Sequence, residues 1–277
     1  MEVFPPKRHD GNPKELIHVV SNLKDLHPDF ISVTYGAGGS TQDLTLEIAS
    51  AIKNNIGILT MAHLTCVGNT PQEILNILDQ FKAHNIDHIL ALRGDPPVGQ
   101  TSFKPVPGGF SYAGQLMEFI KKERSFFNLG VAAYPEKHPE AINLQQDIEN
   151  LKKKVDQGAD FIITQLFFNN QHFYDFVDKI RKVGIKIPIL PGVFLLSNYK
   201  QLSRISQLSP VDVPHELSKK LIQYQDDLKA SEEIGAEFAL KQSQDLIKSK
   251  AIQGIHFYIM NKKEMISQIF PSIKALV

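Results

Sequence analysis

Glu2 is the carboxylate of this chain whose setting is least ordinary. It stands in Glu2-Val3-Phe4, a β-branched and aromatic run that reads as a strand, and a barrel or parallel-sheet strand is dry on both faces. A carboxyl group there resists ionisation, so Glu2 is a candidate general acid. Asp95 follows Arg93-Gly94 and precedes Pro96-Pro97. The guanidinium of Arg93 offers a fixed fork of donors to a phosphate or carboxylate, Asp95 sets a negative charge two residues on, and the prolines stiffen the loop that displays both. His63 and His138 stand at expected strand ends beside other polar residues, where a histidine can hold or pass a proton. Asp147, Asn150 and Lys154 are spaced three and four apart and so share one helix face, where Lys154 suits a phosphate and Asp147 a ribose hydroxyl. The small residues of Thr34-Tyr35-Gly36-Ala37-Gly38-Gly39 let the backbone approach a flat ligand. They are not a dinucleotide fingerprint: Thr41 fills the third glycine's place, and no acidic residue sits where a ribose partner would.

Other chemistries are argued against by composition. Thirty basic and thirty acidic side chains balance to zero formal charge, which gives no basic field for nucleic acid. The single cysteine, Cys66, excludes an internal disulfide framework and Cys-rich metal sites. Ten histidines invite a metal, but the nearest pair, His84 and His88, divides between a helix end and a strand start, so no metal is expected. No apolar run reaches the roughly 18–20 residues that span a bilayer, and Met1–His9 carries no signal-peptide core, so the expected location is cytoplasmic.

These groups need elements to position them. Short aliphatic runs alternate with stretches of helical period. Strands are expected at Glu2–Phe4, Phe30–Thr34, Ile58–Leu64, His88–Leu92, Leu129–Ala133, Phe161–Gln165, Ile187–Pro191 and Ile255–Tyr258. Between them helices are expected at Pro13–Leu26, Leu44–Asn54, Pro71–His84, Gly114–Phe126, His138–Gln157 and Phe173–Val183. Thr70-Pro71 with Glu73 is a capping box with proline at the first helical position. Gly158 and Gly184 are placed to end helices in the left-handed region. Eight such units in one 277-residue domain point to a (β/α)8 barrel. Ser197–Ser249 holds about two helices more than a crossover needs, split near Lys229–Glu233, and reads as extra helices between strands seven and eight. An open doubly wound sheet would want a glycine-rich turn after its first strand, where this chain has Pro5-Pro6-Lys7. In a barrel the strand C-termini hold the chemistry, and His63, Arg93, Tyr134, His138, Gln165 and Tyr258 fall at or just beyond that end.

Eight motifs, in order, carry a family resemblance: Glu2-Val-Phe-Pro-Pro-Lys, Ser32-Val-Thr-Tyr-Gly-Ala-Gly-Gly-Ser, His63-Leu-Thr-Cys, Ala91-Leu-Arg-Gly-Asp-Pro-Pro, Ala132-Ala-Tyr-Pro-Glu-Lys-His-Pro-Glu, Thr164-Gln-Leu-Phe-Phe, Pro191-Gly-Val and His256-Phe-Tyr-Ile-Met-Asn. From Glu2 to about Glu264 the chain closely resembles methylenetetrahydrofolate reductase of the bacterial type. The resemblance implies a flavoprotein barrel in which FAD takes hydride from NADH or NADPH and passes it to 5,10-methylenetetrahydrofolate, giving 5-methyltetrahydrofolate for methionine synthesis. It implies Glu2 as the acid that opens the folate ring and Asp95 as a catalytic neighbour of flavin and pterin. It places FAD contacts at Thr34, Tyr35, Ala37, His63, Arg93, Gly94, Asp95, Tyr112, Ala113, Tyr134, His138, Ala141, Asp147, Asn150 and Lys154. Substrate contacts fall at Gln165, Gln201, Tyr258 and Lys262, the last where the family often has arginine; an aromatic is common where Ile205 stands. A homodimer or homotetramer is implied in the same way. Three other readings stay open: another flavin barrel, such as a proline dehydrogenase-like enzyme, which would not need an acid at Glu2; a Schiff-base lyase, for which only Lys7 lies near a strand end; and a noncatalytic binding module.

Overall fold

In the computed structural model, residues 1–6, 12–36, 42–94, 105–209 and 211–276 are described. Eight parallel strands follow one another in chain order and close into a barrel with helices between them, the (β/α)8 fold expected from the alternating pattern. Contacts gather into two compact units, Met1–Ala132 with Lys153–Phe161, and Ala133–Lys152 with Ile162–Val277.

The first unit holds β1 (Glu2–Val3), β2 (Ile31–Val33), β3 (Thr60–Thr65), β4 (His88–Leu92) and β5 (Asn128–Ala133). In register, Glu2 lies beside Ser32 and Ser32 beside Met61. β1, β2 and β3 are buried at every position, and they bury the polar residues Glu2, Ser32, Thr60, His63 and Thr65 along with their apolar ones. α1 (Pro13–Leu23) starts at Asn12, whose side chain accepts from Lys14 N–H (3.0 Å), with Pro13 at its first position. α2 (Gln42–Ser50) runs on into a wide π-turn, Ala51–Ile56, closed by Gly57 at φ +81°. α3 (Pro71–Ala83) carries the expected capping box: Thr70 N–H donates to Glu73 Oε2 (2.7 Å) and Glu73 N–H to Thr70 Oγ1 (3.3 Å). α4 (Ala113–Glu123) stops short of the expected Phe126, and Arg124 turns out of the helix to a two-point bond with Asp79 (2.8 and 3.1 Å).

The second unit holds β6 (Phe161–Leu166), β7 (Ile189–Phe194) and β8 (His256–Tyr258), with α5 (Leu144–Asp156) leading out of it and α6 (Asn170–Lys182) between β6 and β7. Two expectations are corrected here. The seventh strand was expected at Ile187–Pro191, yet β7 runs from Ile189 on through Pro191, which has no N–H for the ladder, to Phe194. An irregularity in β6 between Ile163 and Leu166 absorbs the mismatch, and Gly192 N–H donates to the Thr164 hydroxyl instead (2.9 Å). Between β7 and β8 lie α7 (Tyr199–Leu208), α8 (His215–Gln223) and α9 (Leu228–Lys248), two more than a crossover needs, followed after β8 by α10 (Lys263–Lys274). The break precedes Lys229–Glu233: Asp227 caps α9 by accepting from Ala230 N–H (3.0 Å), so those residues lie inside the helix.

Candidate active site

Glu2 is buried in β1. Its Oε2 lies 3.2 Å from His63 Nε2 and 3.5 Å from the Ser32 hydroxyl, so three strands each bring one polar group to the same face of the sheet. Sequence reading singled out Glu2 and His63 but missed Ser32, whose signal is a hydroxyl flanked by Ile31 and Val33 in an otherwise apolar strand. Tyr35, just past β2, is buried with Asn69 as a polar neighbour, and burial first of all pushes its hydroxyl pKa up to about 12. Thr34 donates its N–H to Val3 O (3.1 Å), while its carbonyl accepts from Thr45 Oγ1 (2.9 Å).

Beyond β3 and β4 the ladder continues: Cys66 N–H donates to Leu92 O (3.2 Å) and Val67 N–H to Arg93 O (3.1 Å). Arg93 is thereby held at the end of the sheet. Gly94, at φ +91°, has no room for a side chain, since a Cβ would come within 2.6 Å of Val67 Cγ1 and 2.9 Å of Thr65 Cβ. Cys66 Sγ donates to Arg93 O (3.3 Å), and burial, only partly offset by nearby hydrogen bonding and Arg93, pushes its thiol up to about 11; it is a packed hydrophobe without thiolate character. Asp95 and Ala37 lie outside the described residues. Tyr112 and Ala113 begin α4, where Gln115 Oε1 accepts from Ser111 N–H (2.7 Å) and Tyr112 N–H (3.3 Å). Lys154, on the last turn of α5, donates to Ala132 O at the end of β5 (2.8 Å).

In the second unit, the segment between β5 and α5 is braced by its own side chains, which is why α5 begins at Leu144 instead of His138. His138 N–H donates to Asp147 Oδ2 (2.8 Å), and Lys137, at φ +86°, donates its ammonium to Ala141 O (2.6 Å). Glu140 N–H donates to His138 Nδ1 (3.1 Å), which fixes that nitrogen as an acceptor, and Tyr134 meets the His138 ring edge-on at 4.6 Å. Asn150 accepts from Gln146 across one turn (3.4 Å). Gln165 Oε1 accepts from Leu166 N–H (2.9 Å), and Gln201 Oε1 from Ser197 N–H (2.9 Å) and the Ser197 hydroxyl (3.2 Å). Tyr258 donates its hydroxyl to Thr164 O (2.9 Å), lying over Gly192, where a Cβ would stand 2.5 Å from the ring. Lys262 pairs with Glu232 of α9 (2.5 Å). Ile205 packs against the apolar cluster of Phe168, Phe194, Leu202, Leu217 and Leu221.

A second polar cluster was not foreseen. Glu136 Oε2 accepts from Asp212 N–H (2.6 Å), and His172 Nε2 lies 3.0 Å from Asp212 Oδ2, on the wall of a cavity of about 530 Å³. Burial holds the Glu136 carboxyl above the usual carboxylate range, while hydrogen bonds from Asn169 and His172 hold that of Asp212 below it. Glu136 and Asp212 are 76 residues apart in the chain, which leaves no local sequence signal for their contact.

The first unit also fits a flat cofactor with polar edges. Thr65 Oγ1 and the Tyr35 hydroxyl are buried without an aligned hydrogen bond, and at Gly94 the backbone itself must come close.

Fold and site together define a (β/α)8-barrel protein with a buried acid in its first strand, beside polar side chains of the second and third. A structure titled as an uncharacterized protein from Clostridium thermocellum that binds two copies of 5-methyl-5,6,7,8-tetrahydrofolic acid shares the fold, with a TM-score of 0.65 at 16% identity over 99% of this chain and 93% of that one. A sequence model of methylenetetrahydrofolate reductase matches residues 1–274, and the chain belongs to that family. It is 38% identical over 267 residues to 5,10-methylenetetrahydrofolate reductase of Escherichia coli, covering 95% of this chain and 86% of the relative. It is 40% identical over 270 residues to methylenetetrahydrofolate reductase (NADH) 1 of Arabidopsis thaliana, covering 94% of this chain but 45% of the relative. The chain thus spans somewhat under half the length of the plant relatives it matches. Among the described residues, no helix is long and apolar enough to cross a membrane.

Proposed function

We propose that this chain reduces 5,10-methylenetetrahydrofolate to 5-methyltetrahydrofolate, with NADH or NADPH as the source of hydride and methionine synthesis as the destination of the methyl group. The observation that carries the reading is the buried carboxyl of Glu2, set beside His63 and Ser32 in a chain of this family. FAD, when bound, would supply the two-electron carrier that accepts hydride from the nicotinamide and delivers it to the folate. By the family resemblance we assign Thr34, Tyr35, His63, Arg93, Gly94, Tyr134 and His138 to holding it.

Glu2 gives its proton to a nitrogen of the folate five-membered ring. The bond from that nitrogen to the bridging carbon breaks, its electrons stay on the nitrogen, and the carbon becomes an iminium that hydride can reach. Asp95 orients the pterin, and Gln165, Gln201, Tyr258 and Lys262 meet the rest of the folate.

An anaerobic visible spectrum tests the reading. Flavin that bleaches with NADH and recovers with methylenetetrahydrofolate supports it; bleaching without recovery refutes the folate assignment. Glu2→Gln should keep its flavin and lose recovery by on the order of 10²-fold or more, the usual contribution of a positioned acid.

A further inference from the structure

A buried general acid meets its difficulty after the proton has left. The carboxylate that remains carries a full charge where water cannot reach it, and it needs a donor already in place. Glu2 and His63 side chains are 6% and 8% exposed, and their nearest polar atoms are 3.2 Å apart. His63 Nε2 is buried and has no aligned hydrogen bond of its own, so its capacity to donate is not spent elsewhere in the fold. The ring is held from behind: His63 lies within β3, in register with Leu90 of β4, and adjacent strand residues Ala62 and Leu64 are fully buried. The Ser32 hydroxyl, at 3.5 Å from the same oxygen, is too distant for a strong bond.

We propose that His63 is the positioning residue of the acid: its Nε2–H closes onto Glu2 Oε2 as the proton leaves and stabilises the carboxylate that forms. The step rests on the folate reading above. In it the Glu2 proton moves to the substrate nitrogen while the His63 proton stays on Nε2, so no further donor or acceptor is required. The off-axis contact tightens only when charge develops, as hydrogen bonds of catalytic groups commonly do.

Two isosteric variants separate this role from packing. In His63→Gln the side-chain amide reaches the place of Nε2 and can still donate to Glu2; in His63→Asn it reaches only the place of Nδ1 and cannot. With flavin occupancy normalised, the folate step measured by anaerobic stopped flow should fall on the order of 10²-fold in His63→Asn, the loss expected for one preorganised donor to a developing anion. His63→Gln should recover it to within about tenfold. In a Glu2→Gln background, His63→Asn should cost less than about threefold, because the two residues act as one unit. Independent, additive losses, or equal loss in the Gln and Asn variants, would overturn the proposal.

A second readout does not depend on turnover. In protein labelled with ¹³C at glutamate side-chain carboxyls, the Glu2 resonance is identified by its disappearance in Glu2→Gln. It should move in His63→Asn and return toward its original position in His63→Gln. If it ignores both substitutions the pair is not coupled and the proposal fails. Wild-type protein whose reduced flavin never passes electrons to methylenetetrahydrofolate would instead sink the reductase reading, and the carboxyl resonance alone would then decide the pairing of Glu2 with His63.

Discussion

Replacing Gly235 with alanine sets two opposed effects against each other. Gly235 is buried in α9, and alanine is the better helix former by about 0.8–1.0 kcal/mol, largely because glycine leaves the unfolded chain more flexible. Against this, a Cβ at Gly235 would lie 1.7 Å from the carbonyl oxygen of Leu196 and 2.8 Å from its carbon. The obstacle is backbone just past β7, so no side chain can swing aside. Helix and strand end must part by more than about 1 Å to reach ordinary contact, which loosens the packing of Ala236, Ala239 and Ser243 beside it. Overpacking of this kind costs about 1–3 kcal/mol and sometimes more, and a backbone clash sits at the upper end. We expect a net loss of about 2 kcal/mol, which for a chain of this size lowers Tm by roughly 4–8 °C. The displaced carbonyl precedes Ser197, whose N–H is held by Gln201, so the Michaelis constant for folate should rise along with the loss of stability. Urea unfolding with Glu233→Ala in the same helix as a surface control would measure the first effect. A Gly235→Ala protein as stable as wild type, or more so, would refute the claim that close approach dictates glycine there.

Gly94→Ala combines a left-handed backbone, which costs about 1–3 kcal/mol for a residue with a side chain, with the approach to Val67 and Thr65; flavin retention on gel filtration should drop together with the urea midpoint. Tyr258→Phe leaves Thr164 O without its side-chain donor and should cost about 1–2 kcal/mol by urea unfolding, whereas an unchanged midpoint would show that the hydroxyl does not brace β6 to β8. Glu136 has its carboxyl raised by burial, so the stability linked to its protonation is present below the ordinary carboxylate range and lost as pH rises through the raised value. Glutamine does not titrate and keeps an oxygen for Asp212 N–H. Glu136→Gln should therefore gain on wild type as unfolding midpoints are compared from pH 4 to pH 7.5, and a constant difference would count against burial as the cause.

What could be read from the residues was local. The apolar strands, the Thr70 capping box and the left-handed glycines at 158 and 184 each follow from a few neighbouring positions, and all three stand in the structure. The barrel followed from their repetition. What could not be read depends on register and on residues distant in the chain. Ser32 comes to Glu2 only because β1 and β2 pair in the register they do. Pro191 has no N–H for the ladder, yet β7 passes through it, and the next N–H, of Gly192, donates to the Thr164 hydroxyl on another strand. The break before α9 was misplaced by a few residues because Asp227 was not recognised as its cap.

The same distinction explains what the candidate ligand residues offer. The family resemblance put Gln165 and Gln201 among them but said nothing about which end of each amide would face outward. In both, the oxygen is taken by a backbone N–H, of Leu166 and of Ser197, and a backbone N–H can only donate. Each glutamine is therefore turned so that its oxygen faces the backbone of its own chain segment, and the turn is set by the protein alone. In the proposed folate site such glutamines would present N–H donors whose orientation the protein has already set. His138 follows the same rule with its Nδ1 held by Glu140 N–H, so the neutral ring carries its proton on Nε2. The orientation of these groups is thus a property of the loops and caps around them, which is why the residue types could be found in the sequence and their polarity could not.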